Sequence, residues 1–336
     1  MERMEKSVSC DASRLSVAPM MDWTDRHCRV FHRRMSRRAL LYTEMVTAPA
    51  VIHGERARLL DYDAAEHPLA LQLGGSDADE LRAATRIAAD WGYDEINLNV
   101  GCPSDRVQSG CFGAVLMKTP DLVAECVAAM IAESPVEVTV KCRIGVDEQD
   151  PHEVLPAFLE KMQGAGVRRI AIHARKAWLQ GLSPKDNREI PPLDYPLVHA
   201  MKAQFPALHL SINGGIETLE QVRDHLAVMD GAMLGRAAYH RPWDVLGQAD
   251  RLWGDTPPLD GPVDAALAMR PYIARHLAAG GRLHQITRHM LGLFHGLPGA
   301  RNWRRVLSEG ASRGGIEVFD AALAQITAPS EPVEPA

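Results

Sequence analysis

Eight short apolar runs rich in strand-forming residues recur along the chain, and they restrict the fold more than any bulk property does. They are LSVAPM (15–20), LLYTEM (40–45), LALQLGG (69–75), EINLNVG (95–101), EVTVKCRIG (137–145), RRIAIHARK (168–176), ALHLSINGG (207–215) and GAMLGRAA (231–238). The seven gaps between them have room for a helix, and DADELRAATRIAADWG and TPDLVAECVAAMIAES carry helical periodicity. Strands alternating with helices pair in parallel through right-handed crossovers. Eight such units close into a (β/α)8 barrel of about 250 residues. A doubly wound open sheet is the competing arrangement, but no GxGxxG follows the first run. The expected fold class is therefore α/β, a TIM barrel.

After residue 240 the strand signal stops. WDVLGQADRLWGDTPPLDGP reads as a last helix and a Pro/Gly linker. Beyond it, Leu283, Ile286, Met290 and Leu293 form one apolar stripe at helical spacing. The expected organisation is an N-terminal extension over 1–14, a barrel over 15–250, a small helical domain over 258–327 and a disordered Pro- and Glu-rich tail over 328–336.

The net charge of −6 argues against a nucleic-acid partner on its face. The charge is uneven, however: residues 258–328 hold eight arginines against five carboxylates, and four histidines besides. No apolar run is long enough to span a bilayer, and MERMEKSVSCDASR lacks the apolar core of a secretory signal, so a cytoplasmic location is expected. Six cysteines show no CxxC pair and no zinc-finger spacing, so reduced thiols and no metal are expected.

In a (β/α)8 barrel the chemistry sits at the C-terminal ends of the strands. Here those ends carry Pro19-Met20-Met21, Gln72, Asn99 with Cys102, Lys141 with Arg143, His173, Asn213-Gly214-Gly215 and Gly235-Arg236. Each alone has a bland explanation as a core or turn residue. Together they would leave buried polar groups costing several kcal/mol (~2–7 per group) without a polar ligand or one another. Loops after strands 7 and 8 commonly hold phosphate, and NGGI with Gly235-Arg236 supplies close backbone approach and a guanidinium. Lys141 fits either a Schiff base or a partner to a reduced flavin. The hydrogen-bonding side chains around it suit a flat heterocycle better. Cys102 stays open at this level: a core thiol, half of a pair with Cys111, or a group that meets substrate.

APMMDWTDR, LALQLGG, EINLNVGCPSDRV, VTVKCRIG, IHARKAW, SINGGI and MLGRAAY together resemble the tRNA-dihydrouridine synthases. NREIPPLDYP (187–196) and LPGARNWRR (297–305) resemble the A-type members, which act at D-loop positions 20 and 20a. The likeness runs from about residue 15 to 310, in order.

That resemblance implies an FMN-dependent barrel followed by a helical tRNA-binding domain, with no obligate protein partner. It implies that NADPH reduces FMN, that hydride then passes to C6 of a uridine, and that Cys102 protonates C5. An ordinary thiol, pKa about 8.5, is mostly protonated at neutral pH and can act as this acid. By the same resemblance, Pro19, Met20, Met21, Gln72, Lys141, His173, Asn213, Gly214, Gly215, Gly235 and Arg236 contact FMN. Asn99, Lys185, Arg188, Arg301 and Arg304 contact tRNA. Lys185 and Arg188 lie on a 19-residue segment, AWLQGLSPKDNREIPPLDY, and loops this long on a catalytic face are usually functional. The rival reading is an FMN barrel of the dihydroorotate-dehydrogenase type acting on a free small molecule. It leaves the basic C-terminal segment without a task.

Overall fold

The computed structural model describes residues 11–104 and 111–327. The strands form where the apolar runs predict: β1 Leu15–Val17, β2 Leu40–Thr47, β3 Leu69–Gly74, β4 Glu95–Val100, β5 Glu137–Arg143, β6 Arg169–His173, β7 His209–Asn213 and β8 Gly231–Leu234. They pair in parallel in chain order, and β8 returns to β1 with Leu15 opposite Ala232, so the sheet is a closed barrel. The open-sheet alternative is excluded. Two runs overstate their strands: β1 stops at Val17, and β8 gives way to a helix at Arg236–His240. The last ladder-like bond there runs from Ala18 N–H to Leu234 O, 2.7 Å.

Helices cover the barrel between strands. Ala78–Ala89 is capped by Asp77, whose carboxylate accepts from the N–H groups of Asp79 and Glu80. Pro120–Glu133 and Pro151–Gly164 begin with proline, whose missing N–H goes unused in a first helical turn.

The strand alternation sorts side chains by chemistry. Leu69, Leu71 and Leu73, Ile96, Leu98 and Val100, and Val138, Val140 and Cys142 are buried and share one facing. Burying each such aliphatic chain contributes about 1.5–3 kcal/mol. The opposite facing carries Gln72, Asn97, Asn99, Thr139 and Lys141. Beside these polar residues, Ala18, Leu40, Tyr42, Ala70, Ala171 and Met233 form a small apolar cluster.

The polar residues are joined. Asn99 Nδ2 donates to Gln72 Oε1 (2.8 Å), Gln72 Nε2 to Asn97 Oδ1 (2.8 Å), and Asn97 Nδ2 to Thr139 Oγ1 (2.7 Å). Thr139 in turn donates to Glu95, which is fully buried at the start of β4 and also accepts from Tyr42 Oη and Arg169 Nη2, each at 2.6 Å. A hydrogen-bonded line thus runs from the first residue of β4 to its C-terminal end.

The chain forms two compact units. The first holds the barrel strands and takes residues up to 24, 38–216 and 220–235. The second takes 25–37, 217–219 and residues from 236 onward, so it does not begin at 258 as a reading in chain order expects. Helix Arg26–Met35 belongs to it because the cap residue Asp25 is shared. Asp25 accepts from the N–H groups of His27 and Cys28, and also from Arg288 Nη2 (2.6 Å) and His289 Nε2 (3.0 Å). Burial alone would raise the Asp25 pKa, but His289, the Cys28 N–H and Arg288 hold it well below the usual carboxylate range.

In the same unit, helices Pro262–Ala278, Leu283–Thr287, Ala300–Gly310 and Ile316–Thr327 occupy the segment expected to be helical. The Leu283, Ile286, Met290, Leu293 stripe is buried as its spacing predicts, although the regular helix ends at Thr287 and continues as turns. Trp303 is fully buried, edge-on to Phe294 and Phe319. Among the described residues, no helix is long and apolar enough to cross a membrane. The expected tail at 328–336 and most of the expected extension at 1–14 lie outside the described residues.

Candidate active site

Cys102 stands two residues past the end of β4, in a turn built by Asn99. Asn99 Oδ1 accepts from the N–H of Gly101 (3.1 Å) and of Cys102 (3.0 Å). Such local side-chain bonds to backbone are what Asn offers a turn. Its Nδ2 is held by Gln72, so the polar line through the barrel ends on the backbone of the cysteine. The far side of the turn is tied by Ala114 N–H to Cys102 O, 2.9 Å. The thiol is half-buried, and Sγ donates to Ser104 Oγ at 3.5 Å. Cys102 and Cys111 are both free thiols, and Cys111 is exposed. The disulfide reading of that pair is overturned. Residues 105–110 of the same loop lie outside the described residues.

Around this turn the barrel mouth is cationic. Lys141 lies opposite Asn99 in the β4–β5 register, and Arg143 lies opposite His173 in β5–β6. Burial and the neighbouring Arg143 lower the Lys141 pKa to about 8. Burial lowers that of Arg143 to about 10; the Cys102 side chain acts in the opposite direction. His173 is pushed well below its ordinary value by burial, then by Arg143, Lys141, Arg175 and Arg188. The charges acting on it most strongly are all cationic, so the imidazole is neutral at physiological pH. Its Nδ1 is buried without a hydrogen-bond partner.

The end of β7 runs into two glycines packed closely by neighbouring side chains. Asn213 Nδ2 donates to Met233 O at 2.7 Å, fixing the strand end. Gly214 follows with φ +108° and Gly215 with φ +69°, a region that favours glycine. A Cβ on Gly215 would lie 2.5 Å from Leu193 Cδ1 and 2.9 Å from Tyr195 Oη. One on Gly214 would lie 3.1 Å from His173 Nε2. Met20 follows β1, its N–H bonded to Thr24 Oγ1, and its sulfur is 3.9 Å from where a Gly235 Cβ would stand. Pro19 is half-buried beside it and Met21 is 51% exposed. Arg236, the first residue of helix Arg236–His240, belongs to the second unit.

The long segment after β6 is folded rather than loose. Asn187, fully buried, donates to the carbonyls of Trp178, Leu182 and Ser183 and accepts from Trp178 N–H. Lys185 and Arg188 on the same segment are exposed. In the second unit Arg301 and Arg304 are exposed on helix Ala300–Gly310, on either side of buried Trp303, while Arg305 pairs with Glu309.

A family model described as "Dihydrouridine synthase (Dus)" matches residues 16–327. The chain belongs to the dihydrouridine synthase family. It is similar to proteins named tRNA-dihydrouridine(20/20a) synthase. That of Shewanella oneidensis is 58% identical over 314 residues, 93% of each chain. That of Xanthomonas campestris is 57% identical, covering 91% of this chain and 90% of the relative. That of Escherichia coli is 56% identical, covering 93% and 95%.

The structure of this dihydrouridine synthase brings Gln72, Asn99, Cys102, Lys141 and His173 to one end of one barrel, as the strand-end argument predicts. It adds residues that the sequence did not single out. Asn97 and Thr139 carry the hydrogen-bond line, and period-2 alternation placed them inside without revealing their partners. Asn187 organises the long loop, and only its place among Asp, Ser and Pro hinted at a turn. Arg143 was visible at the end of β5 but had no assigned role.

Proposed function

We propose that this protein is an FMN-dependent, NADPH-driven tRNA-dihydrouridine synthase. It reduces the C5–C6 double bond of uridine at D-loop positions 20 and 20a, and Cys102 gives the proton to C5. The observation that carries this reading is the turn of Cys102, whose backbone Asn99 Oδ1 holds beside Lys141 at the barrel mouth.

The residues present fit a flavin mononucleotide. Lys141, Arg143, Arg175 and Arg188 all act on His173, and a mouth that gathers cations in this way suits an anionic ring and a phosphate. His173 Nδ1 has no partner of its own. Gly214 and Gly215, both at positive φ, turn the backbone at the end of β7. Lys141, His173 and Gln72 would hold the ring, with Pro19, Met20 and Met21 beside it. Asn213, Gly214, Gly215, Gly235 and Arg236 would hold the phosphate end. When bound, FMN supplies the hydride to C6, with NADPH as the source of electrons.

The chain's own residues do the rest. Lys141 offsets negative charge where it gathers. The Cys102 thiol breaks its S–H bond, the proton goes to C5 and the electron pair stays on sulfur. Uridine stacked in folded RNA is out of reach of a barrel interior, so the base is extruded into the mouth. Asn99 uses its remaining Nδ2 hydrogen toward that base. Lys185 and Arg188 on the loop, and Arg301 and Arg304 on the helical unit, take the RNA backbone. Such contacts make binding strongly salt-dependent despite a net charge of −6.

The test is mass spectrometry of tRNA from a strain lacking this chain. Dihydrouridine at positions 20 and 20a should vanish, return with the wild-type chain and stay absent with Cys102→Ala. Unchanged dihydrouridine in the deletion strain would overturn the assignment.

A further inference from the structure

Arg143 makes an unusual set of contacts for a buried cation. It is 4% exposed, and its guanidinium reaches three backbone carbonyls. Nε donates to Gly101 O at 3.0 Å, and Nη1 donates to Lys176 O and to Asn187 O, each at 2.9 Å. Gly101 precedes Cys102. Lys176 and Asn187 bracket the long segment after β6 in which Lys185 lies, and Arg188 is the next residue. A single side chain on β5 therefore ties the cysteine turn to both ends of the loop that presents Lys185 and Arg188.

Arginine stays charged in proteins, and taking a charge out of water is favourable only when it is well paired. No carboxylate meets this guanidinium in the contacts above; it is satisfied by carbonyl dipoles alone. The fork geometry of arginine can span three acceptors on two separate segments, which a lysine ammonium on a single stem cannot reproduce.

We propose that Arg143 is a positioning residue for proton transfer, which clasps the Cys102 turn to the Lys185–Arg188 loop so that RNA bound on the loop sets the place of the thiol. This rests on Cys102 being the acid. The side chain acts through the backbone of Gly101 and does not itself meet the reacting carbons. Residues that hold a reacting group in place can change a rate about 100-fold when displaced by about an ångström.

The experiment uses the flavin-loaded enzyme with Arg143→Ala, Arg143→Lys and, for comparison, Cys102→Ala. Three quantities are read: flavin reduction by NADPH, flavin reoxidation at saturating tRNA, and trypsin cleavage after Lys176, Lys185 and Arg188 without tRNA. Flavin reduction by NADPH is the internal reference in both Arg143 variants, and reoxidation by tRNA is read as its ratio to that rate. Reoxidation at saturating tRNA should fall about 100-fold in Arg143→Ala and at least tenfold in Arg143→Lys. Guanidinium ion should restore part of the rate to Arg143→Ala but none to Cys102→Ala. Trypsin cleavage of the loop should rise in both Arg143 variants and stay at the wild-type level in Cys102→Ala. Should Arg143→Ala fail to fold, Arg143→Lys carries the same tests. Wild-type reoxidation and wild-type cleavage in Arg143→Lys, with Cys102→Ala inactive, would overturn the clasp while leaving the acid in place. Normal turnover by Cys102→Ala would instead remove the reading on which the clasp rests.

Discussion

Replacing Lys141 by Met should make the flavin-free protein more stable at neutral pH while removing its function. The Lys141 ammonium is held among cations, with its pKa lowered from 10.5 to about 8 by burial and by Arg143. A fall of that size corresponds to about 3 kcal/mol of penalty on the charged form in the folded state. Some water reaches the partly exposed side chain, so the gain expected from Lys141→Met is about 1–3 kcal/mol. The unfolded chain keeps its proton up to about 10.5, whereas the folded protein begins to release it at about 8. Below about 8 both states are protonated and the whole penalty is present. Between about 8 and 10.5 the folded state sheds the proton and the penalty shrinks. The advantage of Lys141→Met should therefore be full at pH 7 and fade as pH rises toward 10.5. Urea unfolding of both proteins, followed by circular dichroism at about pH 7 and about pH 10, measures this. A variant less stable than wild type at pH 7, or an advantage undiminished at the higher pH, would refute the argument that the mouth is strained without its anionic ligand.

Gly215→Ala should cost about 2–4 kcal/mol, from the left-handed backbone and the collision with Leu193 and Tyr195. Gly181→Ala has a similar positive φ but nothing within 4 Å, and should cost only about 1–2 kcal/mol, which thermal or urea unfolding of the pair would resolve. Glu95→Gln removes the charge that Arg169 meets at 2.6 Å, while Glu137 stays at 3.0 Å, and should destabilise by about 3 kcal/mol in urea titrations, with flavin binding kept in the fraction that folds. Arg301→Ala with Arg304→Ala should weaken tRNA binding and flatten its salt dependence by about two phosphate contacts, measured by filter binding across salt concentrations.

Much of this molecule is legible in the chain because the barrel rests on local rules. Each strand is a run of β-branched and aliphatic residues with a fixed alternation, and each gap is long enough for a crossover helix. The strand-end rule then selected Gln72, Asn99, Cys102, Lys141 and His173 with no partner known. What the chain concealed is long-range pairing. Nothing near Asp25 in sequence announces Arg288 and His289, so the helix after β1 looked like part of the barrel. Asn99 looked like a ligand group pointing into the pocket, whereas most of its amide is used to shape the Cys102 turn. Arg143 looked like one more cation on a strand, because the carbonyls it holds lie 42, 33 and 44 residues away. Such contacts are set by backbone geometry and leave no periodic signal.

The most direct test of the central claim separates the two halves of the reaction in Cys102→Ala. The variant should bind FMN and be reduced by NADPH at the wild-type rate. Its reduced flavin should then not be reoxidised by tRNA, and no dihydrouridine should form. Reoxidation by tRNA at the wild-type rate, with dihydrouridine formed, would show that the proton reaches C5 from another group.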